Sequence, residues 1–177
     1  IICNEYKIKV DELIKLANKH PRVNIHNPSC GVGGHCIAVD PWFIASQLPD
    51  QSQLIQKSRH VNLEKTGWVI NHIEEKILQI KSLIKREPKI AFLGLTYKAN
   101  SDDLRESPAL KIVDYFIKKG EKCYVCEPFI EKHKEIILHS LSEVIDIADI
   151  IFFLVAHDQF KIIDLNGKAF EDYCGIF

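Results

Sequence analysis

The sequence predicts an α/β protein in two parts, a helical segment containing one long helix and then a parallel sheet. Two observations carry this. Residues 51–86 hold no Pro and a single Gly, and Val69, Ile73, Ile77, Ile80 and Ile84 recur at steps of three and four, the stripe of one long amphipathic helix. From Pro88 onward, short apolar runs alternate with amphipathic stretches in the order strand, helix, strand, helix, strand. That order builds a parallel sheet with right-handed crossovers. A length of 177 residues accommodates one large or two small domains with a real core. We place the division between residues 1–87 and 88–177.

The elements follow in order. Val10, Leu13, Ile14 and Ala17 form one helical face, closed by Pro21. Residues 21–34, dense in Pro, Asn, Ser and Gly, read as a loop. Asp40-Pro41 reads as a helix cap followed by Pro in the first turn, starting a short helix that stops before Pro49. The long helix comes next, with Gly67 as the place for a kink. It is too long for a small domain to cover, so it is expected to pack on another copy or another domain. Residues 89–95 are a buried strand, and Ser107-Pro108 opens a helix that Gly120 ends. Cys123–Cys126 is the second strand, residues 141–148 a helix and residues 150–155 the third strand. Parallel sheets bind ligands beyond the carboxyl ends of their strands. This points to Thr96-Tyr97-Lys98, Glu127-Pro128 and Ala156-His157-Asp158.

Composition excludes several classes. Twenty-three Lys and Arg against 24 Asp and Glu give a net charge of −1, which argues against a binder that neutralises nucleic-acid phosphates. No apolar run approaches the roughly 20 residues that span a bilayer, and no basic, apolar leader opens the chain. The chain neither begins with Met nor contains one, which suggests a fragment or an incomplete record. Six cysteines without a secretory signal read as free thiols. Cys123-x-x-Cys126 is a lone pair in an apolar strand, and the eight His residues lack ligand spacing, so no metal is expected.

Two segments can carry chemistry. The first is Asn27 to Phe43, with Gly31, Gly33 and Gly34 leading to His35 and Cys36, then Asp40. The Gly31-x-Gly33 pair is not a dinucleotide fingerprint, because no buried strand precedes it and Cys36 occupies the place of the third Gly. What remains is a Gly-rich loop delivering a thiol to the start of a helix. There the dipole favours a thiolate, and Asp40 is in range to orient a water. The second segment, Leu95 to Pro108, follows a strand and enters a helix N-terminus, where anions are favoured. It offers Lys98 and Arg105 for phosphates, with Asp102 and Asp103 to hold the cations in place.

Together these segments resemble the UDP-glucose/GDP-mannose dehydrogenase family. The family's Gly-x-Gly-Gly-x-Cys-x-x-x-Asp loop matches Gly31 to Asp40, and its Lys followed by Asp-Asp-x-Arg-x-Ser-Pro matches Lys98 and Asp102 to Pro108. The loop variant ending in Asp40-Pro41-Trp42-Phe43 is similar to the branch acting on UDP-N-acetylmannosamine, as are Arg22-Val23-Asn24-Ile25 and Leu154 to Phe160. The resemblance implies a Rossmann-like UDP-binding domain at 88–177 and a central, dimerising helical region at 1–87. The activity it implies is NAD-dependent oxidation of a sugar C6 alcohol to a carboxylate, for surface polysaccharide synthesis. Cys36 would form a thiohemiacetal and then a thioester, and Asp40 would help water hydrolyse it. Tyr97, Lys98 and the loop glycines Gly31, Gly33 and Gly34 would bind the UDP-sugar. Arg105 would bind NAD, and Arg22 would reach the substrate of a neighbouring subunit. A cytoplasmic homodimer is implied, with no nucleic acid and no membrane.

The family's amino-terminal NAD-binding fingerprint and its catalytic Lys and Asn have no match, so the chain alone is expected to be inactive. Cys174 stands where the family carries a cation before Gly175, and the stretch between Pro128 and Asp149 is short for the family. Competing readings are another UDP-sugar as substrate, a non-catalytic nucleotide-binding and dimerisation module, and a redox protein using Cys123 and Cys126.

Overall fold

The structure is a computed structural model describing residues 1–165 and 167–177. Helices α1 (Ile2–Glu5) and α2 (Val10–Ala17) lead through a long loop to α3 (Asp40–Gln47) and α4 (Gln53–Ile84). The sheet region follows as β1 (Ile90–Leu93), α5 (Pro108–Lys118), β2 (Cys123–Cys126), α6 (Leu141–Ile147), β3 (Ile150–Phe153), a 3-10 turn at Asp158–Phe160 and β4 (Ala169–Asp172). The sheet is parallel throughout, in the order β2-β1-β3-β4.

β1 and β3 are central, and every residue in them is buried. Their apolar alternation feeds two cores. Ile90, Phe92, Ile150 and Phe152 face Val69, Ile73 and Ile77 of α4 and Ile112, Val113 and Phe116 of α5. Ala91, Leu93, Ile151 and Phe153 face Val144 and Ile145 of α6 and Phe160. The second half of α4 therefore covers one face of the sheet. Its first half packs against α3 and leaves Leu54 and Leu63 exposed.

The long helix is continuous through Gly67, whose missing side chain faces open space, so the kink expected there does not break it. Its end is pinned by Arg86, which donates two hydrogen bonds of 2.7 Å to the Asp149 carboxylate. Asp149 also accepts from the Lys89 amide at 2.8 Å. Asp40 is not the cap of α3. Val39 takes that place, and Asp40 begins the helix without a capping hydrogen bond. At α5 the Ser107 hydroxyl does cap, accepting from the Leu110 amide while donating to the Leu95 carbonyl at 2.6 Å. α1 and β4 have no counterpart in the sequence reading. α1 is one turn long, and β4 is a partly exposed edge strand paired only with β3.

Candidate functional site

The chain leaves β1 for β2 on one side and returns to β3 on the other. The carboxyl ends of β1 and β3 therefore diverge at a switch point, the place where such sheets open a ligand crevice. A cleft of about 320 Å³ lies there. Thr96 to Ala99 line it after β1 and Leu154 to Ala156 after β3. Pro108 and Ala109 close it from the start of α5, and Asn27 to Gly31 from the cysteine loop. Tyr97 and Lys98 stand at its edge, the Lys98 ammonium 5.5 Å from the Tyr97 ring centre.

The two segments singled out in the sequence are packed on each other. The Gly34 amide donates to the Arg105 carbonyl at 2.9 Å. A Cβ at Gly33 would lie 2.5 Å from the Glu106 carbonyl oxygen and 2.8 Å from the Tyr97 Cβ, so only Gly permits this approach. Gly31 lines the cleft, whereas Gly33 and Gly34 are buried beneath Tyr97. From the helical side, Asn62 of α4 clamps the same loop. Its carboxamide accepts from the Val32 amide at 2.7 Å and donates to the Val32 carbonyl at 3.1 Å. Thr66, one turn on, donates to the Cys30 carbonyl. Asn62 and Thr66 escaped the sequence reading because they look like ordinary polar positions on a helix face.

Cys36 is exposed at the end of this loop, and its carbonyl accepts from the Val39 and Asp40 amides at 3.0 and 2.8 Å. Asp40 is exposed one turn on. Arg105 is locked to Asp103 by three hydrogen bonds of 2.6–3.1 Å, which hold the Asp103 carboxyl down to about 2. His35 Nδ1 lies 3.9 Å from the same carboxylate. Asp103 pairs with Arg105 as expected, while Asp102 makes no hydrogen bond or ion pair among the described residues. Arg22 is exposed in the loop after α2, and its side chain is not brought to the cleft.

The remaining cysteines sort by burial, Cys3 and Cys123 being half-buried and Cys30, Cys126 and Cys174 buried. Burial pushes the Cys30 and Cys123 thiols up to about 12 and Cys126 up to about 11. Cys123 belongs to one sheet core and Cys126 to the other, so the pair lies on opposite faces and cannot form a redox couple. Cys174 is buried and lines the cleft. Its thiol bonds Asp172, whose carboxylate also accepts four backbone amides from Cys174 to Phe177. The position where the resemblance led to a cation thus holds a packed thiol in a turn that Asp172 organises.

At the strand ends that the sequence pointed to lies a polar pair whose contact the sequence did not reveal. Glu127, at the end of β2, and His157, after β3, are both buried, with Glu127 Oε2 3.1 Å from His157 Nε2. Burial alone would raise the Glu127 carboxyl. Hydrogen bonds from His157 and from the Leu95 and Phe129 amides outweigh it and hold the group below the usual carboxylate range. No group of three or more His, Cys, Asp or Glu among the described residues forms a metal site, and no described helix is long and apolar enough to cross a membrane.

Residues 91–172 match the profile of the UDP-glucose/GDP-mannose dehydrogenase family, UDP binding domain, and residues 1–64 match that family's central domain. The chain belongs to this family. It is 44% identical over 182 residues to a UDP-N-acetyl-D-mannosamine dehydrogenase of Campylobacter jejuni, covering 98% of this chain and 43% of that protein. The corresponding Escherichia coli K12 dehydrogenase is 46% identical over 174 residues, covering 93% and 41%. Among solved structures, a UDP-D-ManNAc dehydrogenase of Pyrococcus horikoshii superposes with a TM-score of 0.80 at 32% identity, covering 99% of this chain and 43% of that one. The chain thus spans less than half the length of these relatives.

Proposed function

We propose that this chain supplies the cysteine loop and the UDP-binding end of an NAD-dependent UDP-N-acetyl-D-mannosamine 6-dehydrogenase. The observation that carries this reading is the docking of the loop that bears the exposed Cys36 thiol on the 96–108 segment, whose start lines the cleft at the strand ends. The cleft suits a UDP group. Lys98 offers a cation and α5 presents its N-terminus. The sugar then extends past the glycine loop toward Cys36.

NAD, when bound, is the hydride acceptor that oxidation of an alcohol to a carboxylate requires, two being consumed. Arg105 is the residue that the family resemblance assigns to one of its phosphates. Among the described residues no strand–glycine–helix cradle for its pyrophosphate is formed, and in this reading the chain supplies a contact to the dinucleotide. The chain's own chemistry is that of Cys36 and Asp40. The Cys36 thiolate adds to the C6 aldehyde, making a C–S bond in a thiohemiacetal. Loss of a hydride from that carbon, for which a bound NAD would be the acceptor, leaves a thioester, whose C–S bond water breaks while Asp40 takes up a proton from that water. The carboxylate leaves and the thiol is restored.

The reading includes a cytoplasmic homodimer serving surface polysaccharide synthesis. Free thiols fit a reducing compartment, and exposed Phe43 on α3, Leu48 just after it and Leu54 on α4 offer an apolar face for a second copy. A dehydrogenase of a related UDP-N-acetylhexosamine is the second reading. It is favoured by 43% identity over 94% of the chain to an NDP-N-acetyl-D-galactosaminuronic acid dehydrogenase of Ralstonia nicotianae. Calorimetric titration tests the proposal: the chain binds UDP and forms no NADH from UDP-sugar and NAD. Absence of UDP binding contradicts the assignment of the cleft, and NADH formation by the chain alone contradicts the division of labour.

A further inference from the structure

The Glu127–His157 pair sits under the loop that carries Lys98 and ties the end of β2 to the two strand ends, of β1 and β3, that form the cleft. Glu127 Oε2 accepts from the Leu95 amide at 2.7 Å and the Thr96 amide at 3.2 Å, and Oε1 accepts from the Phe129 amide at 3.0 Å. His157 is fully buried, stacked on Phe129 at 5.0 Å and edge-on to Phe160 at 5.2 Å. The Asn100 amide donates to His157 Nδ1 at 3.0 Å. Nδ1 is therefore a bare acceptor, and the ring proton sits on Nε2, from which it is donated to Glu127. Asn100, at φ 55, is further held by its side chain, which donates to Asp158 at 2.7 Å and accepts from the Asp158 amide at 3.1 Å. Thr96 Oγ1 donates to the Lys98 carbonyl at 2.9 Å, closing the turn from the other side.

These contacts fix both ends of the segment 96–100 and leave the Lys98 side chain projecting from its middle. A Lys by itself is a flexible point charge that loses rotamer entropy when it binds a phosphate. A backbone held at both flanks lowers the ordering the ligand has to impose. We propose that Glu127 and His157 are positioning residues for nucleotide binding. In the neutral, Nε2-protonated form, His157 bridges Glu127 to the Asn100 amide and so pre-forms the Lys98 turn. This rests on the UDP-binding reading of the cleft, but the positioning itself is a property of the chain without ligand.

The test has two arms on the 177-residue chain. Without ligand, amide hydrogen exchange and imidazole nitrogen spectra are recorded for wild type, His157→Asn and His157→Gln. Asn keeps an acceptor where Nδ1 lies, and Gln keeps a donor toward Glu127 but no acceptor for Asn100. The wild-type ring is expected to be protonated on Nε2 alone, with the Asn100 amide protected. Protection at Asn100 survives in His157→Asn and falls about tenfold or more in His157→Gln, with β1 unchanged in both. In the second arm UDP is titrated. His157→Gln is expected to weaken binding about tenfold and His157→Asn to restore most of it. Lys98→Ala serves as the control for the cleft. An Nδ1-protonated ring, or equal Asn100 protection in both variants, overturns the positioning role. If neither variant folds, the wild-type tautomer and Asn100 protection decide. If the first arm holds and wild type binds no UDP, the cleft assignment fails and the device is not one for nucleotide binding.

Discussion

The two regions of the chain bury their residues to different degrees. α1 to α3 contribute only Ile14 and Ala45 as buried residues, whereas β1 and β3 bury every position. The exposed thiol belongs to the first region, and its loop is held from both sides, by Asn62 and Thr66 of α4 and by the second region through Gly33 on Glu106 and Gly34 on Arg105. The difference shows where precision resides. Reactive groups stay accessible, and the well-packed sheet and its strand-end hydrogen bonds set their geometry.

Thiol labelling gives the largest contrast. Thiolate abundance falls tenfold per unit rise of pKa, so Cys30 and Cys123, raised to about 12, react about a hundredfold or more slowly than an unperturbed thiol. Cys36 should carry the fast phase, and Cys36→Ser should remove it. A fast phase that survives this change places the reactive thiol elsewhere. Two glycine substitutions come next. Gly33→Ala forces a Cβ against a backbone oxygen and should destabilise by about 2–3 kcal/mol in urea melts. Gly67→Ala, on the open face of α4, should stabilise by about 0.5–1 kcal/mol. Equal effects would dissolve the contrast between the docked loop and the solvated helix.

A smaller effect is expected at Asn62→Ala, which leaves the Val32 amide and carbonyl without their partner on a partly exposed loop and should destabilise by about 1 kcal/mol. The gentlest is the response to pH. Asp103, Glu127 and Asp149 all sit below their usual ranges. A lowered folded-state value adds stability that is complete above the unfolded carboxylate range near about pH 4 and is lost as pH falls below it. Thermal midpoints should therefore hold from pH 7 to 5 and decline beneath pH 4. A decline that begins near pH 6 would point to another group.

Much of the fold was legible because its signals are local. The stripe of α4, the Ser107-Pro108 start of α5 and the all-apolar β1 and β3 each declare themselves within a dozen residues. α1 and β4 did not, since one turn has no period and an edge strand with a half-buried A-F-E-D pattern depends on its neighbour. The candidate site was proposed from the sequence at Cys36, Lys98 and Arg105, where spacing carries the pattern. The clamp made by Asn62 and the contacts of Glu127 and His157, whose segments only the strand-end rule had pointed to, were not legible, because they arise from partners 30, 32 and 57 residues away in sequence. Only the folded chain brings those partners together.

The central claim is that one ligand spans from the strand-end cleft to the thiol. The rate of Cys36 alkylation, measured with no ligand, with UDP and with UDP-N-acetylmannosamine, tests it most directly. The account predicts strong protection by the UDP-sugar, less by UDP alone, and loss of both in Lys98→Ala. Alkylation of Cys36 at the same rate in all three conditions, in a chain that still binds UDP, would contradict it.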